Sequence, residues 1–146
     1  MRINFEEIIR NLESKANSIY IDNEKLRNLI EKVKEKIENN KELKKVINDI
    51  RLLIDLIRDW LKGDYKNVSQ TSIIMIIISF IYLLNPFDII PDFLATGFID
   101  DIAVITYVIK KIQEELKAYK SWRNRESTIE IIELKGEVVD TDEERN

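Results

Sequence analysis

The sequence contains no cysteine and no histidine, and these two absences exclude most familiar kinds of active site. Without cysteine there is no disulfide framework, no thiolate metal site and no cysteine nucleophile. Without histidine the commonest general base, the commonest transition-metal ligand and the usual pH switch are all missing. We therefore expect a cytoplasmic protein that is not an enzyme of the familiar hydrolase classes.

Glycine and proline are also scarce, and the chain carries no net positive charge. Three glycines and two prolines leave little material for a glycine-rich phosphate-binding loop. The formal net charge is −4 and the pI is about 5.1, so the chain as a whole does not attract nucleic acid. We expect no nucleic-acid partner.

The length of 146 residues, with 45% apolar and 34% charged residues, is typical of one globular domain with a single core. Charge and hydropathy divide the chain into an amphipathic helical region (1–66), an apolar helical hairpin (67–120) and a C-terminal appendage (121–146). The expected fold is mainly all-α. It has about five helices, with the apolar hairpin enclosed by the amphipathic helices, and a short C-terminal β-hairpin.

Residues 1–66 carry apolar residues at helical spacing and nearly balanced charge, with 15 Lys or Arg against 13 Asp or Glu. Three amphipathic helices are predicted, over residues 4–20, 23–38 and 41–62. Asp22 or Asn23 is expected to cap the second helix and Gly63 to end the third. Because the charges are interleaved, we interpret the polar faces as solvated surface and the apolar stripes as core-facing. A coiled-coil surface for a partner is the alternative.

No lysine or arginine occurs from residue 67 to residue 109. Ser69 or Ser72 can cap a fourth helix, which continues through residues 73–84 and is apolar nearly all round. A fifth helix is predicted from near Ile99 to about Tyr119. Such a hairpin has to be covered by the N-terminal helices, by a partner chain or by lipid.

Beyond the helices, residues 128–134 carry apolar side chains interspersed with polar ones. Lys135 and Gly136 follow as a turn signal, and residues 137–139 are again apolar in part. This pattern predicts a short β-hairpin that packs on the helices or pairs with the edge of another chain. Residues 140–146 are expected to form an acidic tail.

The tip of the apolar hairpin holds a recognisable set of residues: Tyr82, Asn85, Pro86, Asp88, Pro91, Asp92, Gly97, Asp100 and Asp101. With this spacing, residues 68–110 resemble the YkvA-like family, catalogued as domain of unknown function 1232. The resemblance implies the fold rather than a function, because no activity is agreed for the family, whose members are often described as membrane-associated. Residues 94–96 lack the proline that members often carry before the glycine. The fourth helix is rich in isoleucine where many members use alanine.

Four aspartates lie in this tip, Asp88, Asp92, Asp100 and Asp101, and they allow two interpretations. Brought together, their carboxylates would be hard ligands for Mg²⁺ or Ca²⁺, with the Asn85 carbonyl in reach. Alternatively they cap turns and the start of the fifth helix, which requires no metal. We favour capping, because the spacing differs from that of an EF-hand loop.

Asp101 shares a helical face with Ile105 and Val108, so we expect it to be partly buried. A buried carboxylate needs hydrogen-bond donors, and the candidates are the hydroxyl groups of Ser79 and Tyr82 or free backbone N–H groups at Asp88 to Asp92. We interpret Asp101 as a structural contact that joins the two arms of the hairpin, with a general base as the less favoured alternative.

The hairpin also raises the question of membrane insertion, since residues 67–87 form a run of 21 residues without charge. The apolar centre of this run is shorter, residues 73–84, and each aspartate of the returning arm would cost roughly 2.5–3.5 kcal/mol at the bilayer centre. Full insertion is therefore disfavoured, whereas shallow insertion stays open. Basic residues that suit a shallow hairpin flank it: Lys62, Lys66, Lys110 and Lys111.

Three functions follow as hypotheses. The favoured one is a non-enzymatic interaction or scaffold protein that binds a protein partner or forms a homo-oligomer. The second is a protein that lies peripherally or shallowly in the cytoplasmic membrane, using the hairpin of residues 67–109. The third is a divalent-metal-dependent hydrolase at the aspartate cluster.

Overall fold

The computed structural model describes residues 5–39, 41–84 and 101–134. Over these ranges the backbone is mainly helical and includes no strand, which confirms the mainly helical prediction. The α-helices are α1 (Phe5–Tyr20), α2 (Asn23–Asn39), α3 (Ile47–Lys62), α4 (Gln70–Leu84), α5 (Asp101–Lys111) and α6 (Gln113–Leu134). A 3-10 helix (Lys41–Val46) lies between α2 and α3.

Local signals in the sequence set several helix ends. The Asp22 carboxylate accepts hydrogen bonds from the backbone N–H groups of Glu24 and Lys25, at 3.1 and 3.2 Å, and so caps α2. Gly63 ends α3 with a left-handed backbone at φ 83°, and its N–H donates to the Trp60 carbonyl at 3.0 Å. A side chain at position 63 would be strained in this conformation.

The third predicted helix is only partly α-helical, because residues 41–46 form the 3-10 helix instead. Leu43 and Val46 are both buried, at 2% and 5% exposure. A 3-10 helix places residues i and i+3 on the same side, so this geometry directs both side chains into the core. Helical periodicity in the sequence does not distinguish it from a first α-helical turn.

The apolar helix α4 lies at the centre of the described structure. Every residue from Ser72 to Leu83 except Met75 is buried, and α1, α2 and α5 pack against it. Each isoleucine that is removed from water in this way contributes about 1.5–3 kcal/mol before the entropy of folding is subtracted. In this conformation the chain covers its own apolar helix.

The second arm differs from the prediction in two ways. The expected fifth helix is divided at Ile112 into α5 and α6, although the hydrogen bonds from Ile112 N to Val108 O and from Leu116 N to Ile112 O continue across the junction. The predicted strand over residues 128–134 is wrong, because these residues continue α6. The second predicted strand and the acidic tail lie outside the described residues.

The helical state of residues 128–134 has a physical explanation. A two-stranded hairpin with no third strand is marginal in water, whereas each residue added to an existing helix gains a backbone hydrogen bond. Thr128, a residue typical of strands, donates from its hydroxyl to the Asn124 carbonyl at 2.9 Å within the helix. In this helix the apolar side chains of residues 129–134 lie on more than one face.

Candidate functional site

Most of the residues in the predicted hairpin motif lie outside the described residues: Asn85, Pro86, Asp88, Pro91, Asp92, Gly97 and Asp100. Of the remaining two, Tyr82 is fully buried near the end of α4, and the backbone of Asp101 begins α5. Within residues 5–39, 41–84 and 101–134, no group of three acidic side chains is placed to hold a metal ion. Metal binding by the aspartates therefore stays a prediction, as does the hydrolase hypothesis.

One proposed donor to Asp101 is engaged elsewhere. The Ser79 hydroxyl is fully buried and donates to the Ile76 carbonyl of its own helix at 2.7 Å. Because a serine hydroxyl has a single proton, this bond leaves nothing to donate to Asp101. The structural contact that we expected for Asp101 stays a prediction, without Ser79 as its donor.

The first turn of α4 is held by a carboxylate from α6. Glu115 accepts a hydrogen bond from the Ser69 backbone N–H at 2.9 Å and another from the Ser72 hydroxyl. The Ser69 hydroxyl in turn accepts from the Ser72 N–H at 3.1 Å, so Ser69 is the helix cap. A negative charge is stabilised at this end of a helix, and here it also fixes α6 against α4.

The base of α6 is anchored by an aromatic and ionic cluster. Tyr119 is fully buried and donates to the Asp59 carboxylate at 2.6 Å. Burial raises the pKa of Tyr119 above its usual value, and the hydrogen bond to the Asp59 carboxylate raises it further. Arg123 forms an ion pair with Asp55 at 3.0 Å, and the Trp122 ring stacks on Tyr119. The contacts of Tyr119 with Asp59 and of Arg123 with Asp55 join α6 to α3.

Past this anchor α6 is exposed. Ile129, Ile131, Ile132 and Leu134 have exposures of 49%, 52%, 36% and 81%. No other helix of the described residues covers these four side chains, since the buried residues of α6 end at Tyr119. We call residues 124–134 the distal α6 segment.

A groove of about 860 Å³ lies between α1 and α2 and reaches the end of α4. Four lysines line it: Lys15 from α1, and Lys25, Lys32 and Lys36 from α2. We call it the lysine groove. Lys25, Lys32 and Lys36 follow one another at spacings of seven and four residues, which places them on one side of α2.

The four lysines of this groove outnumber the acidic side chains in its lining. Among the described residues, none of the four ammonium groups takes part in an ion pair, whereas Lys34 on the same helix pairs with Glu31 at 3.8 Å. Glu35 supplies one carboxylate to the lining. The groove is therefore a basic site on a chain whose total charge is negative.

Apolar side chains form the floor beneath these lysines. Ile19, Leu29 and Ile81 line the groove and are almost fully buried, and Leu84 at the end of α4 is partly exposed there. The groove thus combines positive charge at its rim with an apolar base. This combination suits a ligand that has an anionic group and a hydrocarbon part.

The lysine groove was not predicted from the sequence, because the N-terminal charges were interpreted only as solvated surface. The spacing of Lys25, Lys32 and Lys36 could have indicated a basic stripe on α2. The apolar floor could not have been found in this way, because it depends on how α4 packs against α1 and α2.

None of the described helices is both long enough and apolar enough to cross a bilayer.

These features define a small helical protein built around one apolar helix that its own chain covers. Residues 72–107 match the family model described as "Protein of unknown function (DUF1232)". A relative from Bacillus subtilis (strain 168), the "Uncharacterized membrane protein YkvA", is 38% identical over 88 residues, which cover 60% of this chain and 83% of the relative. The chain belongs to the YkvA-like DUF1232 family. No solved structure matches it.

Proposed function

We propose that this protein is a non-enzymatic, peripheral membrane protein that binds anionic lipid surfaces through the lysine groove. The observation that carries the proposal is the set of four lysines, unpaired among the described residues, above an apolar floor. In this binding mode α1 and α2 face the membrane, and α4 stays packed within the chain apart from Ile81 and Leu84 in the groove.

The electrostatic contribution can be estimated from the lining charges. A lysine held close to an anionic bilayer contributes about 1 kcal/mol, so four lysines opposed by one glutamate contribute about 3 kcal/mol. This is a weak attraction that contact between the apolar floor and the lipid would strengthen. It predicts binding that is reversible and that weakens as the salt concentration rises.

The covered position of α4 favours this mode over insertion of the hairpin. Exposing α4 to lipid would require α1 and α2 to leave it, and the packing of its isoleucines would be lost. The relative's name, which describes a membrane protein, supports a membrane location without specifying the mode of attachment.

Sedimentation with vesicles tests the proposal. The wild-type protein is expected to sediment with vesicles that contain phosphatidylglycerol and to stay in the supernatant with vesicles of pure phosphatidylcholine. Replacing two groove lysines in Lys25→Gln/Lys32→Gln removes about 2 kcal/mol of attraction, which is roughly a 30-fold weaker partition.

The matched control removes two lysines from the ends of the apolar hairpin. Lys66→Gln/Lys110→Gln makes the same change in charge at exposed positions, and the groove proposal expects a much smaller loss. If the control variant loses binding and the groove variant keeps it, the hairpin attaches the protein and the proposal is wrong.

A second candidate function, protein–protein interaction, rests on the distal α6 segment. Its four exposed apolar side chains are the kind of surface that a partner chain covers. Light scattering on the purified full chain tests whether the partner is a second copy. A particle mass that falls from dimer to monomer in Ile129→Gln/Ile132→Gln would support this function, and a monomeric wild type would contradict self-association.

A further inference from the structure

We propose that the lysine groove binds one anionic phospholipid molecule at a defined site, in addition to being attracted to the membrane surface as a whole. The inference rests on the proposed function and specifies its ligand. The phosphate group lies between the lysines of α1 and α2, and the beginning of an acyl chain lies on the floor against Ile81 and Leu84.

The shape of the site distinguishes it from a flat basic patch. It is an open groove, and its volume of about 860 Å³ lies within the ~300–1,000 Å³ of small-molecule sites. A diffuse electrostatic attachment needs charge but no cavity. Here one groove is lined both by the four lysines and by buried apolar side chains.

The arrangement of charge indicates where the phosphate binds. Lys25 and Lys32 extend from one side of α2, and Lys15 lines the opposite wall on α1. Lysine ammonium groups bind phosphate oxygens as point charges with several donors each. Asn28 lies between Lys25 and Lys32 in the lining, and its amide can donate to a phosphate or glycerol oxygen.

The floor indicates that the ligand is more than a phosphate ion. Free phosphate would satisfy the lysines and leave the apolar base exposed to water. An acyl chain covers that base, and the partly exposed Leu84 is the side chain that gains most from this contact. The combination therefore favours a lipid over an inorganic anion.

Binding of a water-soluble lipid tests the inference without a membrane. Dihexanoyl phosphatidylglycerol, used below its micelle concentration, is titrated into the full chain by calorimetry, with glycerol phosphate and dihexanoyl phosphatidylcholine as comparison ligands. We expect saturable binding of one phosphatidylglycerol per chain. Binding of the two comparison ligands should be at least tenfold weaker.

Two variants separate the parts of the site. Leu84→Gln should weaken the binding of the short-chain lipid about tenfold and leave glycerol phosphate binding unchanged. Lys32→Gln should weaken both about fivefold, and it is exposed, so it does not threaten folding. Ile131→Gln on the distal α6 segment is the control and should change neither.

Three results would overturn the inference. Equal affinity for glycerol phosphate and the lipid would show a phosphate site only. A loss of lipid binding in Ile131→Gln rather than in Leu84→Gln would place the site on α6. Normal sedimentation with anionic vesicles but no saturable binding of the short-chain lipid would also remove the single-lipid site while leaving the proposed function standing. Failure of the proposed function is recognised separately, by the absence of vesicle binding.

Discussion

The burial of α4 by its own chain leads to a prediction that uses two isoleucines in different surroundings. Ile77 in α4 is fully buried, whereas Ile131 in α6 has 52% of its side chain exposed. Both lie inside a helix, and alanine has a higher helix propensity than isoleucine. Either substitution by alanine therefore stabilises its helix by a few tenths of a kcal/mol.

The two substitutions should nevertheless differ strongly in their effect on stability. At Ile77 the loss of buried methylene and methyl groups, together with the cavity left behind, should cost about 3–4 kcal/mol, within the range for large-to-small changes in protein cores. At Ile131 little packing is lost, so the change should lie within about 0.5 kcal/mol of zero. The expected difference is therefore about 3 kcal/mol.

Urea unfolding in detergent-free buffer measures this difference through the fluorescence of Trp60 and Trp122. Trp60 in α3 stacks on Tyr20 in α1, and Trp122 in α6 contacts Tyr65 in the segment between α3 and α4, so both report on tertiary packing. The wild-type and variant chains should share the same dependence on urea and differ in midpoint. Equal midpoints for Ile77→Ala and Ile131→Ala would refute the reasoning, because they would show that α4 is no better covered than the distal α6 segment.

Two further predictions concern the contacts that hold α6. Glu115→Ala removes the acceptor for Ser69 and Ser72 at the start of α4 and should lower the free energy of unfolding by about 1–2 kcal/mol, whereas Glu114→Ala beside it should have little effect. Tyr119→Phe should cost about 1 kcal/mol at pH 7, because it removes the hydrogen bond to Asp59. Since the folded state raises the pKa of Tyr119, the unfolded chain loses this proton first as the pH rises. The wild-type stability should therefore fall from about pH 10 upward, and Tyr119→Phe should flatten that decline; an unchanged slope would contradict the assigned pKa shift.

The sequence allowed the covered helix to be predicted because its signal is strong and local. Residues 73–84 carry no charge and are apolar nearly all round, so this helix is expected to be buried when the chain folds in water. Asp22 and Ser69 are residue types that cap helix N-termini, and Gly63 is one that ends helices, and each has that role in the structure. For these features local chemistry alone determines the structure.

Other features depended on contacts between distant parts of the chain. The mixed apolar and polar pattern of residues 128–134 favours a strand only if another strand is available to pair with it, and the chain extends a helix there instead. Likewise, the spacing of the lysines on α2 was visible in the sequence, but the groove exists because Ile81 and Leu84 from α4 form its floor. Helix-to-helix packing of this kind cannot be derived from the periodicity of one helix.

The orientation of the protein on the membrane is the most direct test of the proposed attachment. Because the chain has no cysteine, single cysteines can carry an environment-sensitive fluorophore at chosen positions. Asn28→Cys places the label at the rim of the lysine groove, Lys110→Cys at the end of the apolar hairpin and Glu126→Cys on the distal α6 segment. On vesicles that contain phosphatidylglycerol, the emission of the label at position 28 should shift to the blue while the other two stay nearly unchanged. A shift at position 110 or 126, with none at position 28, would contradict attachment through the lysine groove.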